Sequence, residues 1–532
     1  MAEYPLKRAG TEKRKYDWMS VRRAGGMKME YREFAYRKTY HQSDAEQLYN
    51  AYLTIYLTLC LAVILSLCLA LIDGARRNGA RLEAEIVTDI GLQSIMAEYH
   101  RELMKQYNLF AIDASYGTAL CSRTNTEAHL QKYLTKNLDC NDVFLSDFLY
   151  RDFFSLKLDQ AEVKKVSIMT DGGGAVFRRC AVEAVKDDLG IGLLEDLQGW
   201  MQTVEVNGLE EGKEEKQKKE YDEQIDGWVS EYDGMEIEIE EGEWETVELQ
   251  NPTDGLERKK SLGILKLVME DEAGLSGNAL NTENLIRSRM GRGEINQGNM
   301  EYTEKEGAEQ LLEKFAFQEY LLRYMGRYGQ EYEEDALKYQ IEYLIAEKGS
   351  DIENLRSVAN RLCVLREAAN AMYLMSDREK RTEIKVAAGL VCTLIMLPEL
   401  TPLLEGAILL AWAYAESVYD VKTLFSGGKV PLLKSKENWH YSLTAALHGD
   451  LKDKTQEGSG LGYQDYLRIF MMATDQDVLT ARAMDMVEAD IRKTPGNSAF
   501  RLDGCYESLE ACIRIGSGYG YQYELIRQKS YN

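Results

Sequence analysis

Proline, histidine and paired cysteines are scarce in this sequence, and each scarcity excludes a class of protein. Only 6 of 532 residues are proline while 45% are hydrophobic, which is typical of folded, helix-rich chains and not of disordered ones. The five histidines form no H-E-x-x-H motif, and the nine cysteines form no C-x-x-C pair. We therefore predict no metal site and no dense disulfide framework. The cysteine pairs that could bridge in an oxidising compartment are Cys505 with Cys512 and Cys121 with Cys140.

The motifs of phosphate binding and of serine hydrolysis are also missing. The sequence contains no Walker lysine and no G-x-S-x-G. The glycine strings at 458–462 and 516–520 do not join a strand to a helix, so we interpret them as turns or sites of close backbone approach. Glu416 and Asp420 could form a carboxylate pair for acid–base chemistry. A structural pair, bonded to nearby backbone or to Lys422, is favoured, and we predict no catalytic residue and no cofactor.

One long stretch lacks charge altogether. Residues 52–72, YLTIYLTLCLAVILSLCLALI, contain no Asp, Glu, Lys or Arg. A membrane-spanning helix needs about 20 such residues, because a rise of about 1.5 Å per residue must cross roughly 30 Å of hydrocarbon. The run is longer than the roughly 7–15 apolar residues of a cleaved signal peptide. We therefore predict a single transmembrane helix over residues 51–72.

The charges on the two sides of this span differ in sign. Residues 1–50 hold 11 Lys and Arg against 7 Asp and Glu, whereas the chain beyond the span carries a net charge of −28. Phosphate backbones repel such an acidic body, so no nucleic-acid partner is predicted. Because cytoplasmic flanks favour Lys and Arg, we expect a cytoplasmic basic tail and an extracellular C-terminal body on a single-pass protein of the cell membrane. The basic residues Arg76, Arg77 and Arg81, just past the span, oppose this orientation.

Two small sets of residues at the span are candidate functional sites. Ala62, Ser66 and Ala70 are small residues at four-residue spacing, which predicts a face for close helix packing inside the bilayer. Asp73 and Arg76 lie where the span ends and predict an interfacial polar pair. Ordinary anchoring and a role in assembly are equal alternatives for that pair.

Beyond the span, apolar spacing continues with a helical period, which predicts a stalk helix over 73–109 with a weak point at Gly91. Residues 110–302 predict a mixed α+β region with a charged linker near 208–224. The predicted strands and hairpin cover residues 109–117, 155–169, 235–252 and 263–269.

Residues 303–532 predict a helix-rich region with C-terminal strands. Ser350–Glu353 has the form of a capping box, which predicts a helix start. The apolar runs 386–397 and 403–415 are each too short to cross a bilayer, so they are interpreted as a buried helix pair, with a second membrane crossing as the alternative. The predicted fold class is therefore α+β: one transmembrane helix continuing as a long amphipathic helix, then a mixed extracytoplasmic body.

Several long strings carry a resemblance to a known family. They are residues 52–113, QNPTDGLERKKSLGILKLV, ALKYQIEYLIAEKGSDIENLRSVANRLCVLREAANAMYLMSD, AWAYAESVYDVKTLFSGGKVPLLKSKENW and YQDYLRIFMMA with RAMDMVEADIR. Together they resemble an uncharacterised membrane-anchored family of clostridial-type Gram-positive bacteria over most of 52–532. That family's start is similar to TadE/TadG-type pseudopilins, and it is linked with tight-adherence (Flp/Tad) pilus and type II secretion-like systems. The chain departs from it in the long tail before the span and in lacking a Gly-Glu prepilin cleavage signature ahead of Tyr52.

The resemblance implies the lipid bilayer and other pilus or secretion-system membrane proteins as partners, and it brings no catalytic residues. The expected function is that of a non-enzymatic membrane-anchored envelope protein, pseudopilin-like or accessory to such an assembly. One alternative is a membrane-tethered extracytoplasmic hydrolase, which would need dispersed acids and His440 to converge in a cleft. A third is an envelope sensor that relays binding to the basic tail.

Overall fold

Helix α1 runs from Lys28 to Met96 and contains the whole charge-free stretch. An 18-residue window within it has a mean hydropathy of 2.8, and none of that window is buried. At its centre, the side chains of Leu61 and Leu65 are 63% and 58% exposed. By length and composition this helix can cross a membrane, as predicted.

The computed structural model describes residues 28–118, 120–139, 153–186, 191–208, 213–232, 236–240, 243–246, 254–269, 272–300, 308–330, 336–394, 398–451 and 458–531. The chain divides into two compact units, Met1–Arg81 and Leu82–Asn532. The second unit is a mixed α+β body, which confirms the predicted class. The finer division of this body near residue 302 stays a prediction.

The described residues form the following α-helices. After α1 they are α2 (Arg101–Tyr107), α3 (Arg123–Leu138), α4 (Asp171–Glu183), α5 (Ile191–Asn207), α6 (Lys213–Tyr232), α7 (Asp254–Lys260), α8 (Ile264–Val268), α9 (Ile286–Arg292), α10 (Ala308–Tyr324), α11 (Gln340–Ala346), α12 (Asp351–Ser376), α13 (Arg378–Leu394), α14 (Thr401–Phe425), α15 (Leu443–Leu447), α16 (Tyr463–Ala473) and α17 (Gln476–Lys493).

The strands form one antiparallel sheet and one separate hairpin. They are β1 (Ile112–Asp113), β2 (Leu156–Ile168), β3 (Glu236–Glu240), β4 (Glu243–Thr246), β5 (Cys505–Ser517) and β6 (Gln522–Ser530). Strand β5 is central, pairing with β1, β2 and β6, and β3 pairs with β4. The predicted strand at 155–169 and the predicted C-terminal strands are therefore confirmed.

The outer edge of β2 is covered by polar side chains. Glu127 of α3 accepts a hydrogen bond from the backbone of Val163 at 2.9 Å, and Asn299 accepts one from Val166 at 3.0 Å. An uncovered edge would offer these backbone groups to another chain. The two side chains thus close this edge against strand addition.

The helical core centres on α12 and α14. Helix α12 begins at the predicted cap, where the Ser350 hydroxyl accepts from the backbone of Glu353 at 3.5 Å. Helix α14 is buried along most of its length, and Trp412 on it is fully buried. The predicted helix pair is confirmed in α13 and α14, but α13 is only half-buried, since Val386 and Leu390 are exposed.

The helix that leaves the charge-free stretch is shorter than predicted. Helix α1 ends at Met96, and α2 starts only at Arg101. Between them His100 donates its backbone N–H to the carbonyl of Ala111 at 2.9 Å, and its ring caps α2 by accepting from Leu103. These tertiary bonds outweigh the continuous helical spacing. Gly91 is a site of close packing, because a Cβ there would lie 2.6 Å from a methyl carbon of Leu134.

The predicted strand at 263–269 is wrong, because Ile264–Val268 form helix α8. Five apolar residues fit either a buried strand or a buried helical turn, and period alone cannot separate the two. Here Ile264, Leu265 and Val268 are all buried in the hydrophobic core, and helix α8 contacts α12 and α14. The helical neighbours decide the outcome.

Cys505 and Cys512 cannot form the disulfide considered above. Both lie on β5, and seven residues of strand span roughly 23 Å, whereas a disulfide requires Cα atoms within about 7 Å. Cys140 lies outside the described residues.

Candidate functional sites

The predicted helix-packing face lies on exposed helix. Ala62, Ser66 and Ala70 are all exposed on α1. The Ser66 hydroxyl donates to the carbonyl of Val63 at 2.8 Å, so its hydrogen-bond donor has a partner within the same helix. A hydroxyl paired in this way can enter hydrocarbon at low cost. The face is therefore suited to a neighbouring helix, and its role in packing stays a prediction.

The interfacial polar pair takes a slightly different form. The carboxylate of Asp73 lies 3.7 Å from the guanidinium of Arg77, one turn further along α1. Both side chains are more than half exposed, so the ion pair itself stabilises the helix little. A pairing of Asp73 with Arg76 stays a prediction.

Glu416 and Asp420 belong to a buried network of four charged groups. Lys434 reaches both carboxylates, with its Nζ 2.5 Å from Glu416 and 2.7 Å from Asp420. Arg366 on α12 lies 3.0 Å from the second carboxylate oxygen of Asp420. All four side chains are at most 2% exposed. Two cations and two anions leave the network neutral, as burial requires.

Neutral groups complete this network. Glu416 accepts backbone hydrogen bonds from His440 and Tyr441, each at 2.9 Å. The amide of Asn370 donates to Asp420 at 3.1 Å. Burial raises the pKa of Glu416, while the charge of Lys434 acts in the opposite direction. The arrangement is that of the structural pair favoured above, with Lys434 in the place predicted for Lys422.

The loop that carries Lys434 is held by one of the glycine strings. Val430 and Leu461 form an isolated backbone bridge. Gly460 has a φ of +127°, and a Cβ there would lie 2.4 Å from the nitrogen of Pro431. The string at 458–462 is thus a site of close backbone approach, as predicted. The string at 516–520 forms the turn between β5 and β6.

The histidines do not converge on a catalytic arrangement in the described part of the chain. The ring of His440 stacks on Tyr419 with centroids 3.9 Å apart, and His448 contacts the carbonyl of Thr444 at the end of α15. Among the described residues no group of three or more His, Cys, Asp or Glu is placed to hold a metal ion. The hydrolase and sensor alternatives stay predictions.

A second charged network joins α9, α17 and the turn that precedes β5. The spacing of its residues in the sequence did not indicate it. Arg289 binds both carboxylate oxygens of Glu488, at 2.6 and 2.8 Å, and reaches Asp503 at 2.8 Å. Arg492 and Arg501 add further ion pairs to these two acids. The five residues are spread over more than 200 positions of sequence, so only the fold brings them together.

One polar pocket lies beside the sheet. It has a volume of about 700 Å³ and is lined by residues of β2, α4, β5 and β6 together with Asn299 and Met300. Inside it Arg179 lies 3.0 Å from Glu507, whose side chain is 1% exposed, and Lys165 lies 3.6 Å from Glu510. Its volume is in the range of small-molecule sites. The charged side chains of the pocket pair with one another. The pocket therefore presents hydrogen-bonding groups to a ligand, but little net charge.

Glu342 on α11 is the buried acid with the clearest link to pH. It is fully buried, and burial raises its pKa from 4.5 to about 7. One carboxyl oxygen accepts from the Tyr463 hydroxyl at 2.6 Å and from the backbone of Tyr328 at 3.0 Å. The other oxygen has no hydrogen-bond partner among the described residues. The protonated form therefore suits this site.

Replacing Glu342 by glutamine should flatten the dependence of stability on pH. Between pH 4.5 and 7 the folded protein binds a proton here that the unfolded chain does not, so stability falls as pH rises through this window. This group alone accounts for about 3 kcal/mol. Chemical unfolding of the detergent-solubilised chain at pH 5 and pH 8 measures the difference. We expect E342Q to lose less stability over this interval than the unmodified protein.

The exposed Glu309 on α10 supplies the matched control. E309Q makes the same chemical change on the protein surface, so its stability should depend on pH as that of the unmodified protein does. Part of the slope should persist in E342Q, because burial also raises the pKa of Asp485 to about 7. An E342Q profile that is superimposable on the original would contradict a neutral Glu342.

Comparison with known proteins gives one match. Residues 242–517 match the family of unknown function DUF5702. That segment runs from the hairpin β3–β4 to the end of β5, so it includes both buried charged networks. No curated protein and no solved structure matches the chain. The match supports the resemblance to an uncharacterised family and carries no link to TadE-type proteins or pili. Since it covers just over half of the 532 residues, the chain belongs to the DUF5702 family.

Proposed function

We propose that this protein is a non-enzymatic envelope component, in which one helix anchors an acidic body to the cell membrane. The observation that carries this proposal is the exposure of the charge-free stretch of α1, since none of its most apolar window is buried. In water, about twenty exposed apolar residues would be strongly unfavourable, and a bilayer removes that cost. The body lies outside the cytoplasm, in keeping with the basic tail before the span.

One feature of the body favours a structural role over catalysis. The carboxylates of Glu416 and Asp420 are inaccessible and already paired with Lys434 and Arg366. Groups engaged in this way fix the packing of α12 against α14 and have no free position for a substrate. These two buried acids therefore serve the fold.

The finer proposal is that the protein is a pseudopilin-like or accessory part of a tight-adherence pilus or type II secretion-like assembly. It rests on the sequence resemblance given above. In such an assembly α1 would pack against other transmembrane helices through its small residues, because close van der Waals fit drives helix association in lipid.

Enlarging the packing face should reduce the recovery of partner proteins. In A62F/S66F/A70F, bulky side chains replace the small ones and keep a neighbouring helix at a distance. We expect the yield of crosslinked envelope proteins, purified with the tagged chain from gently solubilised membranes and quantified by mass spectrometry, to fall about tenfold, which corresponds to ~1.4 kcal/mol.

The control places phenylalanine side chains on the opposite side of the helix. I64F and L71F change residues that are also exposed, so they should leave recovery unchanged. Equal recovery in both variants would overturn this packing face and leave the anchor itself intact.

A further inference from the structure

The amine of Lys434 lies within attacking distance of a carboxyl carbon. Its Nζ is 2.5 Å from Oε1 of Glu416, and the C–O bond adds about 1.23 Å. The nitrogen therefore lies within roughly 3.7 Å of the carboxyl carbon, close to the separation of about 3–3.5 Å from which such atoms react. Both side chains are at most 2% exposed, so bulk water does not separate them.

Glu416 has the surroundings of an electrophile. The backbone N–H of His440 donates to Oε1 and that of Tyr441 donates to Oε2, each at 2.9 Å. Two such donors stabilise the negative charge that develops on the carboxyl oxygens when a nucleophile adds to the carbon. Burial raises the pKa of Glu416, which favours the neutral acid. The neutral acid is the form of a carboxyl group that an amine attacks.

Asp420 is placed to move protons between the two groups. Its Oδ1 lies 2.7 Å from Nζ of Lys434 and accepts no hydrogen bond within the described part of the chain. Its Oδ2 is held by Arg366 at 3.0 Å and by Asn370 at 3.1 Å. An ammonium group becomes a nucleophile only after it loses a proton, and a carboxylate at this distance can accept that proton.

We propose that Lys434 and Glu416 join in an amide bond between their side chains, which ties the loop of Lys434 to helix α14. Asp420 carries one proton from the ammonium to the carboxylate, so that a neutral amine adds to a neutral acid. It then carries a second proton to the carboxyl hydroxyl, which leaves as water. A C–N bond forms and a C–O bond breaks, one hydrogen stays on the amide nitrogen, and no further reactant is needed.

The charges of the network select Glu416 over Asp420 as the acid that reacts. A bond to Glu416 removes one cation and one anion, and it leaves Asp420 paired with Arg366 at 3.0 Å. A bond to Asp420 would instead take the carboxylate from Arg366 and leave a buried cation without that partner, which is strongly unfavourable. The amide bond is independent of the proposed membrane anchor, since all of its groups lie in the body.

Mass spectrometry of the detergent-solubilised full chain tests the bond. The chain should be lighter than its sequence by the mass of one water molecule, and fragmentation should show a branched peptide that joins residue 434 to residue 416. Trypsin should not cleave after residue 434, because the amide carries no positive charge. Lys436 is the internal control. Its Nζ also lies 2.5 Å from a carboxylate, that of Glu379, but this pair is 70% and 72% exposed, so trypsin should still cleave after residue 436.

The variant K434R removes the nucleophile and keeps the charge. Its guanidinium stays protonated, so this variant should have the full mass of its own sequence. The full sequence mass in the unmodified chain, or tryptic cleavage after its residue 434, would overturn the proposed bond. So would a branched peptide that joins residue 434 to residue 420. Loss of water that persists in K434R would also contradict it, because the reaction would then lie elsewhere in the chain.

Discussion

Replacing Lys434 by methionine should lower the free energy of unfolding by about 3–5 kcal/mol. The ammonium group lies within 2.7 Å of both Glu416 and Asp420, and its removal leaves two buried carboxylates with a single cation, Arg366. Burial then acts on Glu416 without the opposing charge, so this group must either protonate or remain ionised without a partner. Both outcomes are unfavourable in a site that excludes water.

A lysine two residues further along provides the control. Lys436 is 70% exposed and pairs with the equally exposed Glu379, so K436M should change stability by less than about 1 kcal/mol. Urea unfolding of the detergent-solubilised chain, followed by tryptophan fluorescence, measures both variants. Trp412 is a suitable reporter, because its indole donates to the carbonyl of Tyr441, next to the network, at 2.9 Å.

A second substitution separates charge from shape. E416Q/K434M removes one anion together with one cation, so Asp420 keeps Arg366 and no net charge stays buried. We expect the double variant to recover part of the stability that K434M loses. If K434M costs no more than K436M, or if E416Q/K434M is as unstable as K434M alone, the network does not hold the core as described.

The elements that the sequence predicted well are those with local causes. Strand β2 has thirteen residues that alternate between polar and apolar in short stretches separated by shifts in register, and α12 begins at its own capping serine. The charge-free stretch likewise needs only its own composition to be recognised. In each case the residues of a single helix or strand determine the structure, because hydrophobic periodicity and helix capping act over that length of sequence.

The parts that could not be predicted depend on distant neighbours. The pairing of Glu416 and Asp420 was visible as a four-residue spacing, but Lys434 lies in a loop that the fold, through Gly460, brings to α14. Arg289 and Glu488 are separated by 199 residues. The short run at 264–268 became a helix because helices surround it. No pattern in one sequence encodes these contacts.

Placing two arginines in the middle of the charge-free stretch should abolish anchoring. L61R/L65R adds about 2.5–3.5 kcal/mol to the insertion free energy for each charge at the centre of a helix. Cell fractionation should then show the chain lost from the membrane fraction. Protease added to intact cells should release peptides of the body from the unmodified protein and spare residues 1–50, but release none from the variant.

The control introduces two arginines on the same helix, outside the charge-free stretch. Leu82 and Ile86 are 60% and 46% exposed on α1 and have the same four-residue spacing. L82R/I86R should stay in the membrane fraction and remain sensitive to protease, because these positions need not enter hydrocarbon. If both variants fractionate like the unmodified protein, the apolar surface of α1 is covered by protein and not by lipid. If both variants disappear from the membrane fraction, the effect comes from charge anywhere on the helix. Under each of these two results, the membrane anchor would no longer explain why the apolar surface of α1 is exposed.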